Sequence, residues 1–186
     1  RAVGPLIKIL EEDPDKYIRH NAAYYLGEYK DQRAVKPLIR ALEDQEERVR
    51  TYATTALGKL GDESAEKALF SVLKDSEKHV RDSAAEALKR LGVSEDAIKR
   101  GRPIGSGHIR ERIRKLAQKS RSNDYTTQNE AIYELGDMSN SRAVDVLIEI
   151  MQTSSDRGAR SSAAHNLGKA GSPFDPRAVE PLIRAL

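Results

Sequence analysis

At 186 residues with a formal net charge of +3, the chain is long enough for one or two compact domains or for one elongated array of repeats, and it is not a polycation. It has no Cys and no Trp, few aromatics and one third charged residues, which excludes a disulfide framework or thiolate metal site and favours helices over strands. No apolar run approaches the roughly 20 residues that span a bilayer and no leader pattern is present, so a soluble, cytoplasmic protein with no membrane partner is expected.

The first predicted element is RAVGPLIKIL from Arg1, and it returns as RAVKPLIRAL from Arg33, SAEKALFSVL from Ser64, RAVDVLIEIM from Arg142 and RAVEPLIRAL from Arg177. Val3, Leu6, Ile7 and Leu10 fall on one helical stripe, while Lys8 and Glu11 face away. Pro5, Pro37 and Pro181 sit in the first turn, where the backbone N–H has no intrahelical acceptor to lose, so they mark helix starts. Second helices follow from Tyr17, Arg48, His79 and Gly158, with the stripe Ile18, Ala22, Leu26 and Tyr29 matched by Val49, Ala53, Leu57 and Leu60. Ala22, Ala53, Ala84, Ala131 and Ala163 allow close helix approach, and Gly61, Gly92 and Gly171 supply the left-handed residue that ends a helix. Spacings of 32 and 31 residues accommodate two short helices and two turns, and a hairpin that buries neither stripe alone must stack.

The paired signatures RAVxPLIxxL and [VI]RxxAxxxLGxxGD resemble HEAT-like repeats of the phycobilisome-lyase type over nearly the whole chain except about 94 to 107. The resemblance implies an all-α solenoid (an α-α superhelix) of stacked HEAT-like helical hairpins. It also implies a polar ladder between repeats, in which Asp13, Asp44 and Asp75 in the turns pair with Arg19, Arg50 and Arg81 on the second helices. The expected organisation is three repeats in 1–93, an insertion or connector in 94–107, and two repeats plus the first helix of a sixth in 108–186. Ending inside an unpartnered first helix, the chain reads as a piece of a longer protein.

The fourth repeat departs from the pattern. Its first helix reads IRERIRKLAQKS from Ile109, with Ile109, Ile113 and Leu116 as the apolar stripe. Its second reads YTTQNEAIYELGDMS from Tyr125, with Gln128 at the ladder Arg position and Ser122 at the turn Asp position. Before it, Ser94 to Arg100 predicts a short helix capped by Ser94, which Gly101, Pro103, Gly105 and Gly107 cannot continue.

The same region carries the one strong charge asymmetry. From Lys99 to Arg121, nine basic residues (Lys99, Arg100, Arg102, Arg110, Arg112, Arg114, Lys115, Lys119 and Arg121) oppose one acid, Glu111, for a net of +8; the remainder carries −5. They form a candidate polyanion-binding segment, with Lys99, Arg100 and Arg102 on a loop that could fold over a ligand. Nucleic acid is one such partner, but with only Tyr125 close by, recognition would rest on phosphates and shape. The competing reading is a solvated face whose cations pair with acids of adjacent repeats.

A second candidate surface is the concave face that second helices line in solenoids of this type. There His20, Tyr24, Thr55, Glu86, Tyr133 and His165 occupy positions that vary from repeat to repeat, with Tyr24 and Tyr133 as anchors for a protein partner.

Catalytic chemistry finds little support. GRPIGSGH has glycines before a helix but is not GxxxxGK[ST] and follows no strand. His20, His79, His108 and His165 are scattered, and none is followed by Glu as in the deoxyhypusine hydroxylases related to this fold. HEAT-like DNA glycosylases use Trp-containing clefts, and this chain has no Trp. No catalytic residue, cofactor or metal site is therefore expected. The leading expectation is a non-catalytic protein-binding scaffold, with polyanion binding and a bilin-lyase-like enzyme subunit as alternatives.

Overall fold

The computed structural model describes residues 2–103 and 107–170, together with positions 179 and 183. Gly171, Pro181, the remainder of the sixth-repeat helix and residues 104–106 of the insertion lie outside them. Two compact units are present, Arg1–Ile104 and Gly105–Leu186. The first contains α1 (Val3–Glu12), α2 (Lys16–Tyr29), α3 (Val35–Ala41), α4 (Glu47–Leu60), α5 (Glu66–Val72), α6 (Lys78–Leu91) and α7 (Glu95–Arg100). The second contains α8 (His108–Lys119), α9 (Tyr125–Asp137), α10 (Ser141–Thr153) and α11 (Arg157–Ala170). Among the described residues there is no strand, and no helix is long and apolar enough to cross a membrane. Each unit is an all-α solenoid of helical hairpins.

Local chemistry sets the helix ends. Asp31 and Asp62 accept hydrogen bonds from Arg33 N–H (2.9 Å) and Ser64 N–H (2.8 Å), starting the short 3₁₀ turns that lead into α3 and α5. Asn140 does the same for Arg142 at the start of α10 (2.9 Å); each satisfies an N–H that the helix cannot. Pro5 and Pro37 stand in first turns. Gly61 and Gly92 close α4 and α6 with φ of +66° and +96°, a region that costs a Cβ-bearing residue energy. The first repeat uses Lys30 there instead, at φ +49°.

Packing explains why Leu and Gly recur together. The second helices stack, α2 on α4 on α6 in the first unit and α9 on α11 in the second. Leu26, Leu57, Leu88, Leu135 and Leu167 are all buried, each worth about 1.5–3 kcal/mol of transfer free energy. A Cβ on Gly27 would lie 2.8 Å from Ala56 Cβ, one on Gly58 2.9 Å from Ala87 Cα, and one on Gly136 2.6 Å from Asn166. The missing side chain is what lets adjacent second helices meet. In α6 the corresponding residue is Lys89, half exposed and 3.6 Å from Glu95 of α7, so the stack of second helices in this unit ends there and α7 packs beside it.

Ile18 and Tyr29 differ from the stripe read in the sequence. They are 45% and 56% exposed, whereas their counterparts Val49 and Leu60 are buried. The reason is position: α4 lies between α2 and α6, whereas among second helices α2 meets only α4.

Candidate functional site

The ladder is built by arginines near the start of the second helices. Arg19 donates from Nε (2.9 Å) and Nη2 (3.0 Å) to the Asp44 carboxylate of the next repeat, and from Nη1 to the carbonyls of Asp13 and Pro14. Arg50 repeats the arrangement, with Nε 2.7 Å and Nη2 2.9 Å from Asp75 and Nη1 on the Asp44 and Gln45 carbonyls. Each fork therefore reaches one repeat forward from its own turn. Asp13 takes no Arg fork; its side chain accepts from Asp15 N–H. Arg81 keeps only the carbonyl bonds, to Asp75 and Ser76, because the chain turns into α7 where the next rung would stand. Burial raises the Asp44 carboxyl, but the Arg19 fork and the Glu46 N–H outweigh it and hold it below the usual range; the Arg50 fork does the same for Asp75.

The second-helix face of the first unit gathers aromatic side chains. His20 of α2 stacks on Tyr52 of α4 with ring centroids 5.1 Å apart, Tyr24 meets Tyr52 edge-on at 6.1 Å, and Tyr17 meets His20 edge-on at 5.8 Å. Lys59 Nζ lies 5.2 Å from the centre of the Tyr24 ring and bonds Glu28. Tyr24 is nonetheless 41% exposed and Tyr17 55%. Thr55 and Glu86 are exposed further along this face, Glu86 bonded to Arg90. In the second unit, Tyr133 and His165 are exposed on α9 and α11. Sequence reading missed Tyr52 and Tyr17. Tyr17, His20 and Tyr24 stand at i, i+3 and i+7 on α2, a helical spacing that was there to be read. Tyr52 joins them only through packing.

The basic segment divides between the units. Lys99 and Arg100 form the last turn of α7 and are not on a loop, because Ser94 caps that helix and Gly101, at φ +65°, ends it after Arg100. Lys99 lies 3.7 Å from Glu95, and Arg102 is exposed. In α8, Ile109, Ile113 and Leu116 are buried as expected. Arg112 reaches Glu134 of α9 (3.0 Å), Arg121 reaches Glu149 of α10 (2.7 Å), and Arg114 (2.7 Å) and Lys115 (3.9 Å) share Glu111. Arg110 and Lys119 are exposed residues on the same helix. Glu111 is already counted in the local +8, and pairing with Glu95, Glu134 and Glu149 offsets three of those charges.

Glu47, Glu77 and His79 bring one ligand atom each within 4.8 Å of one another. Glu47 stands in the first turn of α4 and Glu77 at the N-cap of α6, where the helix dipole favours a carboxylate without any ion.

The HEAT-repeat family profile matches residues 3–89 and 113–186. Among solved structures, the complex of CpcE and CpcF of phycocyanin lyase from Nostoc sp. PCC7120 is similar, at 20% identity and TM-score 0.50, covering 99% of this chain and 94% of that one. Human deoxyhypusine hydroxylase is similar at 21% identity and TM-score 0.46, covering 98% and 77%. A designed armadillo repeat protein is similar at 16% identity and TM-score 0.41, covering 98% and 87%. No match was found among curated proteins. Hairpins of this spacing, an Arg–Asp ladder and a profile match across both units lead to one conclusion: the chain belongs to the HEAT-repeat family.

Proposed function

We propose that the chain is a non-catalytic repeat scaffold that binds a protein partner through the exposed face of its second helices. The observation that carries this reading is the cluster of Tyr24, Tyr52, His20 and Tyr17. Five of the seven tyrosines of the chain lie in α2 and α4, and four are more than 40% exposed there. Tyrosine presents a large, rigid surface with a polar tip at low entropic cost, which is why it is enriched at binding hot spots. Thr55 and Glu86 extend the face, and Tyr133 and His165 supply its counterpart in the second unit. The ion pairs of α8 weigh against a polyanion site, since a phosphate would have to compete with Glu111, Glu134 and Glu149 for the same cations.

Capture of partners from the source organism, identified by mass spectrometry, tests the reading when wild type is compared with a Tyr24→Ala/Tyr52→Ala variant and with an Arg110→Ser/Arg112→Ser/Arg114→Ser/Lys115→Ser variant. The expected result is a partner whose affinity falls about thirtyfold in the tyrosine variant, the size of one hot-spot loss of about 2 kcal/mol, and changes little with salt. Binding that survives the tyrosine changes, falls steeply with salt and is lost in the basic variant would replace this reading with polyanion binding.

A further inference from the structure

The ladder of the first unit ends on an open fork. Arg19, Arg50 and Arg81 stand at one position of three successive repeats, and each is anchored alike, by Nη1 hydrogen bonds to two consecutive carbonyls of its own turn. The Nε and Nη2 edge is left for the next repeat. Arg19 sets it on Asp44 and Arg50 sets it on Asp75, each acid lying 25 residues further along the chain. From Arg81 the same step reaches Ser106, which has no carboxylate, and the sequence holds no acid from Ala97 to Arg110.

Among the described residues the Arg81 edge has neither a hydrogen-bond acceptor nor an ion-pair partner. Arg81 is half-buried, yet this edge is not among the polar atoms sealed from solvent without a partner, so it is reachable from outside. The two carbonyl bonds fix the plane of the guanidinium, and a ligand that docks there finds the side-chain entropy already lost. Two parallel N–H donors suit a bidentate acceptor. The acid next to it in sequence, Asp82, is held by Lys78 at 2.6 Å. The chain that follows α6 favours an anion as well: Arg100 and Arg102 are exposed, and neither forms an ion pair among the described residues.

We propose that the Arg81 edge is a carboxylate-binding site and that it receives an aspartate side chain of a partner polypeptide, which takes the place Asp44 and Asp75 hold on the two rungs before it. Those rungs define the ligand. Each uses a turn aspartate whose Oδ1 also accepts the backbone N–H two residues on, from Glu46 at 2.9 Å and from Glu77 at 2.9 Å. A turn of that kind on a partner presents the same planar pair of oxygens. The site lies within the first unit, on α6, and does not depend on the tyrosine cluster of α2 and α4.

The test is NMR titration of the full chain with the blocked peptide acetyl-KDSEK-amide, which copies the turn from Lys74 to Lys78, read at the arginine Nε–H resonances. The Arg81 resonance should shift saturably, whereas that of Arg50, whose edge Asp75 already fills, should not. Asparagine in place of the peptide's aspartate should weaken binding at least about tenfold, the loss of a hydrogen bond to a charged group. Arg81→Lys keeps the charge without the planar fork and should weaken binding by a similar factor, followed at the backbone amides of α6. Arg100→Ser/Arg102→Ser, at exposed positions, should weaken it severalfold and lessen its salt dependence, a second reading should Arg81→Lys fold poorly. A silent Arg81 resonance, equal shifts at Arg50 and Arg81, equal binding of the two peptides, or binding unchanged in both variants would overturn the site. Acetate binding as tightly as the peptide would overturn the polypeptide source, and inorganic phosphate binding more tightly than the peptide would overturn the carboxylate in favour of a phosphoryl group.

Discussion

Arg50→Ala is the sharpest probe of what holds the repeats in register. Arg50 makes four hydrogen bonds, two to the Asp75 carboxylate and two to the Asp44 and Gln45 carbonyls, and its side chain and that of Asp75 are 13% and 11% exposed. Truncation strands the Asp75 carboxylate in a mostly buried setting, where Glu77 N–H at 2.9 Å and the Ser76 side chain are the donors that remain. A hydrogen bond to a charged group contributes about 1.5–3 kcal/mol, and water that enters the gap recovers part of it, so the expected loss is about 2–3 kcal/mol. Arg81→Ala provides an internal reference. Arg81 makes the same two carbonyl bonds but no carboxylate fork, and its loss should cost about 1 kcal/mol. The difference isolates the link between repeats. Equilibrium urea unfolding followed by far-UV circular dichroism measures both, and a cycle with Asp75→Asn, which keeps the cap to Glu77, should return a coupling of at least about 1 kcal/mol. Equal losses for Arg50→Ala and Arg81→Ala, with coupling near zero, would show that the ladder is spectator geometry and that apolar stacking alone sets the register.

The acid limb of stability should carry the same signature. Asp44 and Asp75 have folded pKa values below the ordinary carboxylate value, so the stability they contribute is complete above about pH 4 and is lost as pH falls through the depressed folded values; Arg50→Ala should shallow that loss in thermal melts between pH 5 and 2. Asp31, held down to about 2 by the Arg33 fork and N–H, adds to the same limb, but its partner Arg33 is exposed, and Arg33→Ala should change the profile little. Gly58→Ala should destabilise by about 1–3 kcal/mol, because the added Cβ would press on the Ala87 backbone, whereas Gly4→Ala, with nothing within 4 Å, should be neutral or stabilising in the same urea titrations. Limited trypsin digestion should cut first after Arg100 or Arg102, leaving two helical fragments resolved by mass spectrometry; early cleavage within a hairpin would mean that the connection is better protected than the repeats.

Much of this was legible in the residues. The 31- to 32-residue recurrence, the apolar stripes, the first-turn prolines and the helix-ending glycines at 61 and 92 define the hairpins, because each acts through its own few neighbours along the chain. Gln128 and Ser122 stood out as departures for the same reason: a repeat supplies its own standard of comparison. Tertiary structure decided what depends on the neighbouring hairpin. It moved the arginine forks one repeat forward, onto Asp44 and Asp75, and left Arg81 with carbonyls alone. It showed that Gly27 and Gly58 are there for helix contact and that Lys89 marks where such contact stops. It exposed Ile18 and Tyr29, brought Tyr52 to His20 and Tyr24 across two helices, tied the cations of α8 to acids on α9 and α10, and buried the Gln128 oxygen without a donor. Spacing along one helix reveals which residues share its face, but which atoms fill the space opposite that face is set by another helix some 30 residues away, and that is information no local pattern contains.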